Sequence, residues 1–173
     1  MSAWNMLALV GEDKPGIVAQ VTDVLYRHGW NLGEASMMRL GGNFSIMMMV
    51  QGTGGKEVLR PLIEPVAQAL GLRFHVFPIH GGLHRHLVPN IQVRVNGADR
   101  AGIVAKVTGA LAQQGFNILE LDSDVAGTPE RPIYIMCIQG FAEATVEALQ
   151  AAVDAAKDTD IQVDVSPIET FIG

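Results

Sequence analysis

Cysteine is almost missing from this chain of 173 residues. Cys137 is the only one, so no disulfide can form within the chain, and the composition suits a reducing compartment. It lies in the apolar run IYIMCI at 133–138, where a free cysteine is usually a small buried hydrophobe. We therefore expect Cys137 to pack in the core and not to act as a nucleophile.

Positive charge is also scarce. The chain has 12 Lys and Arg residues against 18 Asp and Glu residues, which gives a net charge of −6 at pH 7. No basic run offsets this charge, so direct binding to nucleic acid or to an anionic membrane is not expected. The sequence also lacks a stretch of about 20 apolar residues and the basic opening of a secretory signal. We expect a soluble cytoplasmic protein.

Catalytic and metal-binding motifs are absent as well. No serine stands in a G-x-S-x-G motif, and no pair of nucleophile and base can be recognised. The segment GEDKPG at 11–16 matches neither a dinucleotide-binding fingerprint nor a Walker loop. No spacing of cysteine and histidine matches a zinc site. The sequence predicts a non-enzymatic protein without a cofactor or a metal.

What the sequence does contain is a long internal repeat. A shift of 86 positions places residues 11–34 on residues 97–120 without a gap, and 12 of the 24 aligned pairs are identical. A match of this length indicates a duplication. We expect one domain at 1–79, a glycine-rich linker at 80–88 and a second domain at 89–173.

Both halves are predicted to have the same order of elements. Alternating apolar residues, such as Ile91, Val93 and Val95, indicate strands, and apolar residues at helical spacing, as from Ile17 to Leu25, indicate helices. The order is β-α-β-β-α-β twice, which is the α+β ferredoxin-like arrangement of a four-stranded antiparallel sheet with two helices on one face. The predicted strands are 3–10, 31–40, 43–51, 73–79, 90–96, 117–126, 132–139 and 161–167, and the second helices lie within 56–70 and 141–157.

Glycine and proline mark the predicted helix ends. Gly29 and Gly115 follow the first helix of each half, where a left-handed residue commonly ends a helix. Pro61 and Pro65 fall inside the second helix of the first half, and each removes a backbone donor. We expect one of these prolines to kink that helix or to delay its start.

The repeated loop opens the first helix of each half. Asp13 and Asp99 are suited to capping free N–H groups of the first turn, and Pro15 fits the start of a helix. Gly16 and Gly102 allow another group to approach the backbone closely. The exposed amides, at the positive end of the helix dipole, can bind a small anion or carboxylate. A plain capped turn without a ligand is the alternative.

Strand alternation also predicts which residues share a face. Met48 should point away from Met47 and Met49, so one of these two sets is expected to pack beneath the helices. Asp122 and Asp124 share one face of a predicted strand, which we interpret as an exposed acidic face.

The repeated segments resemble a known family. GEDKPGIVAQVTDVLYRHGWNL at 11–32 resembles the opening of an ACT domain, with its D-x-P-G turn, amphipathic helix, glycine stop and following asparagine. ADRAGIVAKVTGALAQQGFNIL at 98–119 resembles a second one. The tandem arrangement is similar to that of the glycine cleavage system transcriptional repressor family and its relatives that contain only ACT domains.

The resemblance implies that a small amino acid binds where two ACT units pack together. Ala101 stands where the family pattern has proline, so we expect the first half to carry the principal site. The positions that the resemblance assigns to ligand binding are Asp13, Lys14, Pro15, Gly16, Ile17 and Asn31 in the first half, and Asp99, Arg100, Gly102, Ile103 and Asn117 in the second.

Three functions follow from the resemblance. The first is a regulatory protein that binds an amino acid and controls a protein partner, such as a transcriptional activator of glycine or one-carbon metabolism. The second is a regulatory subunit that acts in trans on an amino-acid or one-carbon enzyme. The third is a structural dimeriser without a ligand. In each case edge strands that can pair between copies predict a homodimer.

Overall fold

The computed structural model describes residues 3–79, 87–98 and 101–168. Contacts divide the chain into two compact units, Met1–Leu83 and His84–Gly173. Residues 80–86 of the expected linker lie outside the described residues. Each unit has its own four-stranded sheet, its own pair of helices and its own hydrophobic core.

The first unit has the predicted order of elements. They are β1 (Ala3–Glu12), α1 (Ile17–Arg27), β2 (Asn31–Leu40), β3 (Asn43–Gly52), α2 (Gly55–Leu70) and β4 (Arg73–Pro78). The strands pair antiparallel in the order β2-β3-β1-β4. The edges of this sheet are therefore β2 and β4.

The second unit repeats this topology. Its elements are β5 (Ile91–Ala98), α3 (Ile103–Gln113), β6 (Asn117–Thr128), β7 (Arg131–Phe141), α4 (Val146–Ala156) and β8 (Ile161–Pro167). The strand order is β6-β7-β5-β8, again antiparallel. Both units therefore confirm the predicted α+β ferredoxin-like fold.

One face of each sheet carries the core. In the first unit, alternate residues of β1 and β3 join one cluster with the apolar stripes of α1 and α2, so both helices cover the same face. The fully buried members with the largest side chains in this unit are Leu7, Leu9, Leu25, Met48, Leu59 and Ile63. Met48 is 1% exposed whereas Met47 is 45% exposed, which confirms the predicted alternation.

The face of the second sheet that points away from the helices confirms one prediction and contradicts another. Asp122 and Asp124 lie on one exposed face of β6, as expected. Cys137 is not a core residue, because it pairs with Arg94 on β5 and with Asp122 on β6, on the face away from the helices. Its side chain is partly buried and accepts a hydrogen bond from Nε2 of Gln92 at 3.3 Å.

The glycine ends of α1 and α3 are confirmed. Gly29 has φ 70°, its N–H donates to Tyr26 O at 3.0 Å, and the Trp30 N–H donates to Leu25 O at 2.9 Å. These two bonds form a Schellman motif. Gly115, with φ 73°, ends α3 through the equivalent pair of bonds.

Several boundaries differ from the prediction. The helix α2 runs without interruption from Gly55 and contains both prolines. Each proline lies on the exposed side of this helix, where water can satisfy the carbonyl groups that lose a donor. The helix α4 begins at Val146 and not near 141, because β7 continues to Phe141 and Thr145 caps the helix. Strands β6 and β7 are longer than expected, so only 129–130 form their turn.

A bilayer-spanning helix must be both long and apolar. Within residues 3–79, 87–98 and 101–168, no helix has both properties.

Candidate functional site

The loop that opens α1 is held against the hairpin turn of the same sheet. The strand β1 continues to Glu12, which pairs with Asn43 at the start of β3. The Asp13 N–H then donates to Gly42 O at 3.1 Å. The backbone at 13–16 therefore leaves the sheet beside the β2–β3 turn and enters α1 at Ile17.

Asp13 does not cap α1, and the prediction that it would was wrong. Gly16 occupies the cap position with φ 89°, and no side chain accepts a hydrogen bond there. The carboxylate of Asp13 instead forms an ion pair with Arg39 of β2, with Oδ2 and Nε 2.6 Å apart. Because β1 extends to Glu12, Asp13 lies three residues before the cap and is within reach of the neighbouring strand.

The first amides of α1 are therefore left for another acceptor. The Gln20 N–H donates to Gly16 O at 3.0 Å, which is the first bond of the helix, so the N–H groups at 17–19 have no acceptor within the helix. They lie at the positive end of the helix dipole. Preorganised amides in this position favour a small carboxylate or another small anion.

A cavity of about 360 Å³ lies in front of this loop. Its lining brings together Asp13, Lys14, Gly16, Ile17, Val18, Ala19, Met37 and Phe44. The ammonium of Lys14 is 3.0 Å from a carboxylate oxygen of Glu12, and both side chains are at least half exposed. Such a pair contributes about 0–1 kcal/mol to stability, so Lys14 can turn to another anion at low cost. The cavity thus combines cationic, amide and apolar groups.

Asn31 lies apart from the loop. It begins β2, whereas Met37, which lines the loop cavity, lies six residues further along the strand, about 20 Å away. Asn31 lines a separate cavity of about 550 Å³, between α1 and the start of β2. Of the predicted site residues of the first unit, the structure thus groups Asp13 to Ile17 around the loop, with Pro15 in its turn, and leaves Asn31 elsewhere.

The loop of the second unit has the same geometry at its glycine. Gly102 has φ 94° and begins α3 without a side-chain cap, and the Lys106 N–H donates to Gly102 O at 2.9 Å. Alanine at position 101 therefore leaves the conformation of the following glycine unchanged. Ile103 is buried, and Asn117 begins β6. Asp99 and Arg100 lie outside the described residues.

The residues that β2 and β3 contribute to this site are not among those predicted from the sequence. Arg39, Met37 and Phe44 reach the loop because β1 pairs with β3 and the turn at Gly41–Gly42 comes beside it. The sequence GGN at 41–43, between two predicted strands, is typical of a hairpin turn. Pairing the end of β1 with the strand after that turn would have identified all three. Within the described residues, no group of three or more His, Cys, Asp or Glu side chains is placed to hold a metal ion.

Comparisons with known proteins agree with this topology. Two family models, each described as an ACT domain, match residues 6–76 and residues 91–156. The search of curated proteins returned no significant match.

Among solved structures, an unknown protein from Galdieria sulphuraria has a TM-score of 0.75 and 22% identity, with 98% of this chain and 100% of that chain covered. A candidate glycine cleavage system transcriptional repressor has a TM-score of 0.69 and 19% identity, with 98% and 99% covered. At these identities the likeness shows the fold alone.

Proposed function

Because the chain belongs to the ACT domain family, whose models match both of its units, we propose that it is a non-enzymatic regulatory protein that binds a small amino acid. The observation that carries this proposal is the loop of the first unit. Its uncapped amides face a cavity of about 360 Å³ that also contains Lys14. The amino acid's carboxylate would accept hydrogen bonds from the amides at 17–19, and Met37 and Phe44 would contact its side chain.

The ammonium group of an amino acid needs an acceptor, and Asn31 can supply one. Asn31 of the same copy is too far away. Asn31 of a second copy could reach the loop if the β2 edges of two copies pair, because the two strands of an antiparallel pair run in opposite directions. If the two-fold axis lies near Glu34, Asn31 of the second copy comes opposite Met37, beside the loop cavity. Each site would then combine the loop of one copy with the asparagine of the other.

This geometry gives a mechanism for regulation. A ligand that is held by two copies stabilises the packing that contains it. The ligand would thereby change how the protein fits a protein partner. The resemblance to a candidate glycine cleavage system transcriptional repressor suggests control of transcription through such a partner in the cytoplasm. With a net charge of −6, direct contact with DNA is unfavourable.

A thermal shift panel with the twenty amino acids tests the proposal. One or a few amino acids should raise the melting temperature, because a ligand that binds only the folded state stabilises it by mass action. Gly16→Ala should abolish this shift. A side chain at φ 89° forces the loop out of its conformation, which moves the amides.

Gly102→Ala is the matched control. Gly102 has nearly the same φ, 94°, so the strain on the fold is equal, but the change lies in the second unit. This variant should keep the ligand-induced shift. A panel without any shift would contradict amino-acid binding altogether, and equal losses in the two variants would contradict a principal site in the first unit.

A further inference from the structure

The last edge strands of the two units, β4 and β8, differ in whether a side chain bonds to their outward backbone groups. In the second unit, the Gln150 side chain lies along the free edge of β8 like a short piece of strand. Its Nε2 donates to Val163 O at 3.0 Å, and its Oε1 accepts from the Val165 N–H at 2.8 Å. The primary amide of a glutamine has one acceptor oxygen and an NH₂ donor, so it bonds to two of the outward backbone groups of β8, one C=O and one N–H. The middle of this edge is thus closed by a side chain.

The corresponding position in the first unit is Arg60. Leu59 and Leu149 are matching core residues of α2 and α4, and Arg60 and Gln150 directly follow them. Arg60 does not bridge the edge of β4, because its guanidinium lies over the ring of Phe74, 5.7 Å from the centroid. Phe74 is the counterpart of Val163, since the two pair with Leu9 and Val95 at equivalent points of their sheets.

The outward backbone groups of β4 are consequently open. The Ile79 N–H donates to Trp4 O at 3.0 Å, so the odd-numbered residues of β4 bond to β1 and the even-numbered ones point outward. Among the described residues, no side chain bonds to the backbone of Phe74 or Val76. Pro78 lies at the end of β4 and has no N–H to donate outward, which is typical of proline on edge strands.

A groove of about 360 Å³ runs along this open edge. It is lined by Lys56, Arg60 and His75, and by the apolar side chains of Val76, Phe77 and Pro78. The one acid in the lining is Glu57, whose carboxylate lies 3.8 Å from the Lys56 ammonium and whose side chain is 83% exposed. Arg60 has no carboxylate partner within the described residues.

We propose that the open edge of β4 binds an extended acidic segment of a partner protein as an additional strand. Backbone groups at 74 and 76 would pair with the segment, and Arg60 and Lys56 would bind its carboxylates. Charge favours an acidic segment over other occupants, because the groove carries positive groups although the chain as a whole has a net charge of −6. The inference rests on the proposed function for the existence of a partner, but it requires no ligand at the loop.

The openness of the edge can be measured directly by amide hydrogen exchange on the intact chain. The Val165 amide should exchange more slowly than the Val76 amide, because only the first is bonded to a side chain. Arg60→Gln should slow exchange at Val76, since it installs the residue that closes β8. Gln150→Ala should speed exchange at Val165. If Val76 is as protected as Val165 in the unmodified protein, the edge is already occupied and the proposal is wrong.

Binding can be tested with a fluorescein-labelled peptide of about ten residues in which glutamate and valine alternate. Its anisotropy should rise with the intact chain, and Arg60→Gln should weaken binding about tenfold or more, which corresponds to at least about 1.4 kcal/mol. Arg27→Gln removes an exposed arginine from α1 that is paired with Asp23, so it is the matched control and should bind the peptide normally.

Two further peptides separate strand addition from charge alone. A copy with N-methyl groups on alternate amides keeps its charge but cannot pair, so it should not bind, and a copy with lysine for glutamate should not bind either. Equal binding of the methylated peptide, or full binding by the Arg60→Gln variant, would overturn the proposal. A change of molecular mass on Arg60→Gln would also overturn it, because a second copy would then be the occupant.

The outcome is distinguishable from that of the amino-acid panel. Gly16→Ala should leave peptide binding intact, and Arg60→Gln should leave the amino-acid shift intact, so either proposal can fail without the other.

Discussion

Each core is closed by an aromatic ring that lies on a glycine. Trp30 follows the end of α1 and is 6% exposed, and a Cβ on Gly52 of β3 would fall on its indole ring. In the second unit, a Cβ on Gly140 would fall on the Phe116 ring and also on the backbone oxygen of Asn117. Neither glycine has a positive φ, so each is required for the space that it leaves and not for its backbone freedom.

Gly52→Ala should therefore destabilise the first unit. The added methyl group would displace the Trp30 ring from a packed core, and such overpacking costs about 1–3 kcal/mol. Chemical denaturation would measure the loss in free energy of unfolding. Gly109 of α3 is the control, because a Cβ there would meet nothing within 4 Å and the backbone is helical. Gly109→Ala should raise stability by about 0.5–1 kcal/mol, and equal effects at both positions would contradict this account.

For single residues, the sequence predicts backbone conformation better than it predicts contacts between distant parts of the chain. Gly29 and Gly115 were recognised because a helix end requires a left-handed residue there, whatever lies nearby. The ion pair between Asp13 and Arg39 was not recognised, because it depends on which strand lies beside β1. Cys137 was misplaced for the same reason, since its apolar neighbours in the chain do not share its face of the sheet.

The four helices among the described residues begin in two different ways. Three begin at a glycine with a left-handed backbone, namely Gly16, Gly54 and Gly102, with φ of 89°, 89° and 94°. None of these has a side-chain cap. The helix α4 alone begins at a polar residue, Thr145, whose hydroxyl oxygen accepts from the Ala148 N–H at 3.2 Å. The amides of α4 are thus partly satisfied, whereas those of α1 remain free for a ligand.

Thr145→Ala should destabilise α4 by about 1 kcal/mol, because it removes the acceptor for that amide. Thr145→Ser keeps a hydroxyl group and should be near neutral. Thr22→Ala is a useful comparison, because the Thr22 hydroxyl bonds to Val18 O within α1, where it competes with the helix and caps nothing. Thermal unfolding should show a loss only for Thr145→Ala. A comparable loss for Thr22→Ala would mean that the cap has no special value.

The elements themselves were largely predictable, and their ends less so. Periodicity indicated the eight strands and four helices that the described part of the chain contains, because each strand or helix must bury one face. The two prolines of α2 do not delay its start, because both lie on the exposed side of the helix, and periodicity alone did not reveal that exposure. Leu59 and Ile63 anchor this helix on its other side, and the burial of these residues outweighs the missing bonds.

Across the whole molecule, the duplication preserved the cores and changed the surfaces. At the centre of the face away from the helices, Ala8 pairs with Met47 in the first unit, and Arg94 pairs with Cys137 in the second. The middle of the last edge strand is open in the first unit and closed by Gln150 in the second. Two units with similar cores but different surfaces are suited to different contacts, which supports a single principal ligand site over two equal ones.

The proposed site makes its strongest prediction when two defective variants are combined. Gly16→Ala damages the loop, and Asn31→Ala removes the proposed ammonium acceptor, so neither variant alone should bind the amino acid found in the panel. If each site joins the loop of one copy to Asn31 of the other, a mixed dimer has one site with both defects and one intact site. Random exchange of subunits makes about half of the dimers mixed, so about a quarter of the normal binding capacity should return.

Isothermal titration of the refolded mixture, with each variant alone as reference, would measure this capacity. Asn117→Ala removes the matching asparagine of the second unit. That asparagine should not be needed, so this variant should bind the amino acid normally. No other arrangement of these two residues predicts the recovery, since a loop and an asparagine that act within one copy are never both intact in any chain of the mixture. A mixture that remains inactive, while the unmodified protein refolds to full capacity, would therefore rule out a site shared between copies.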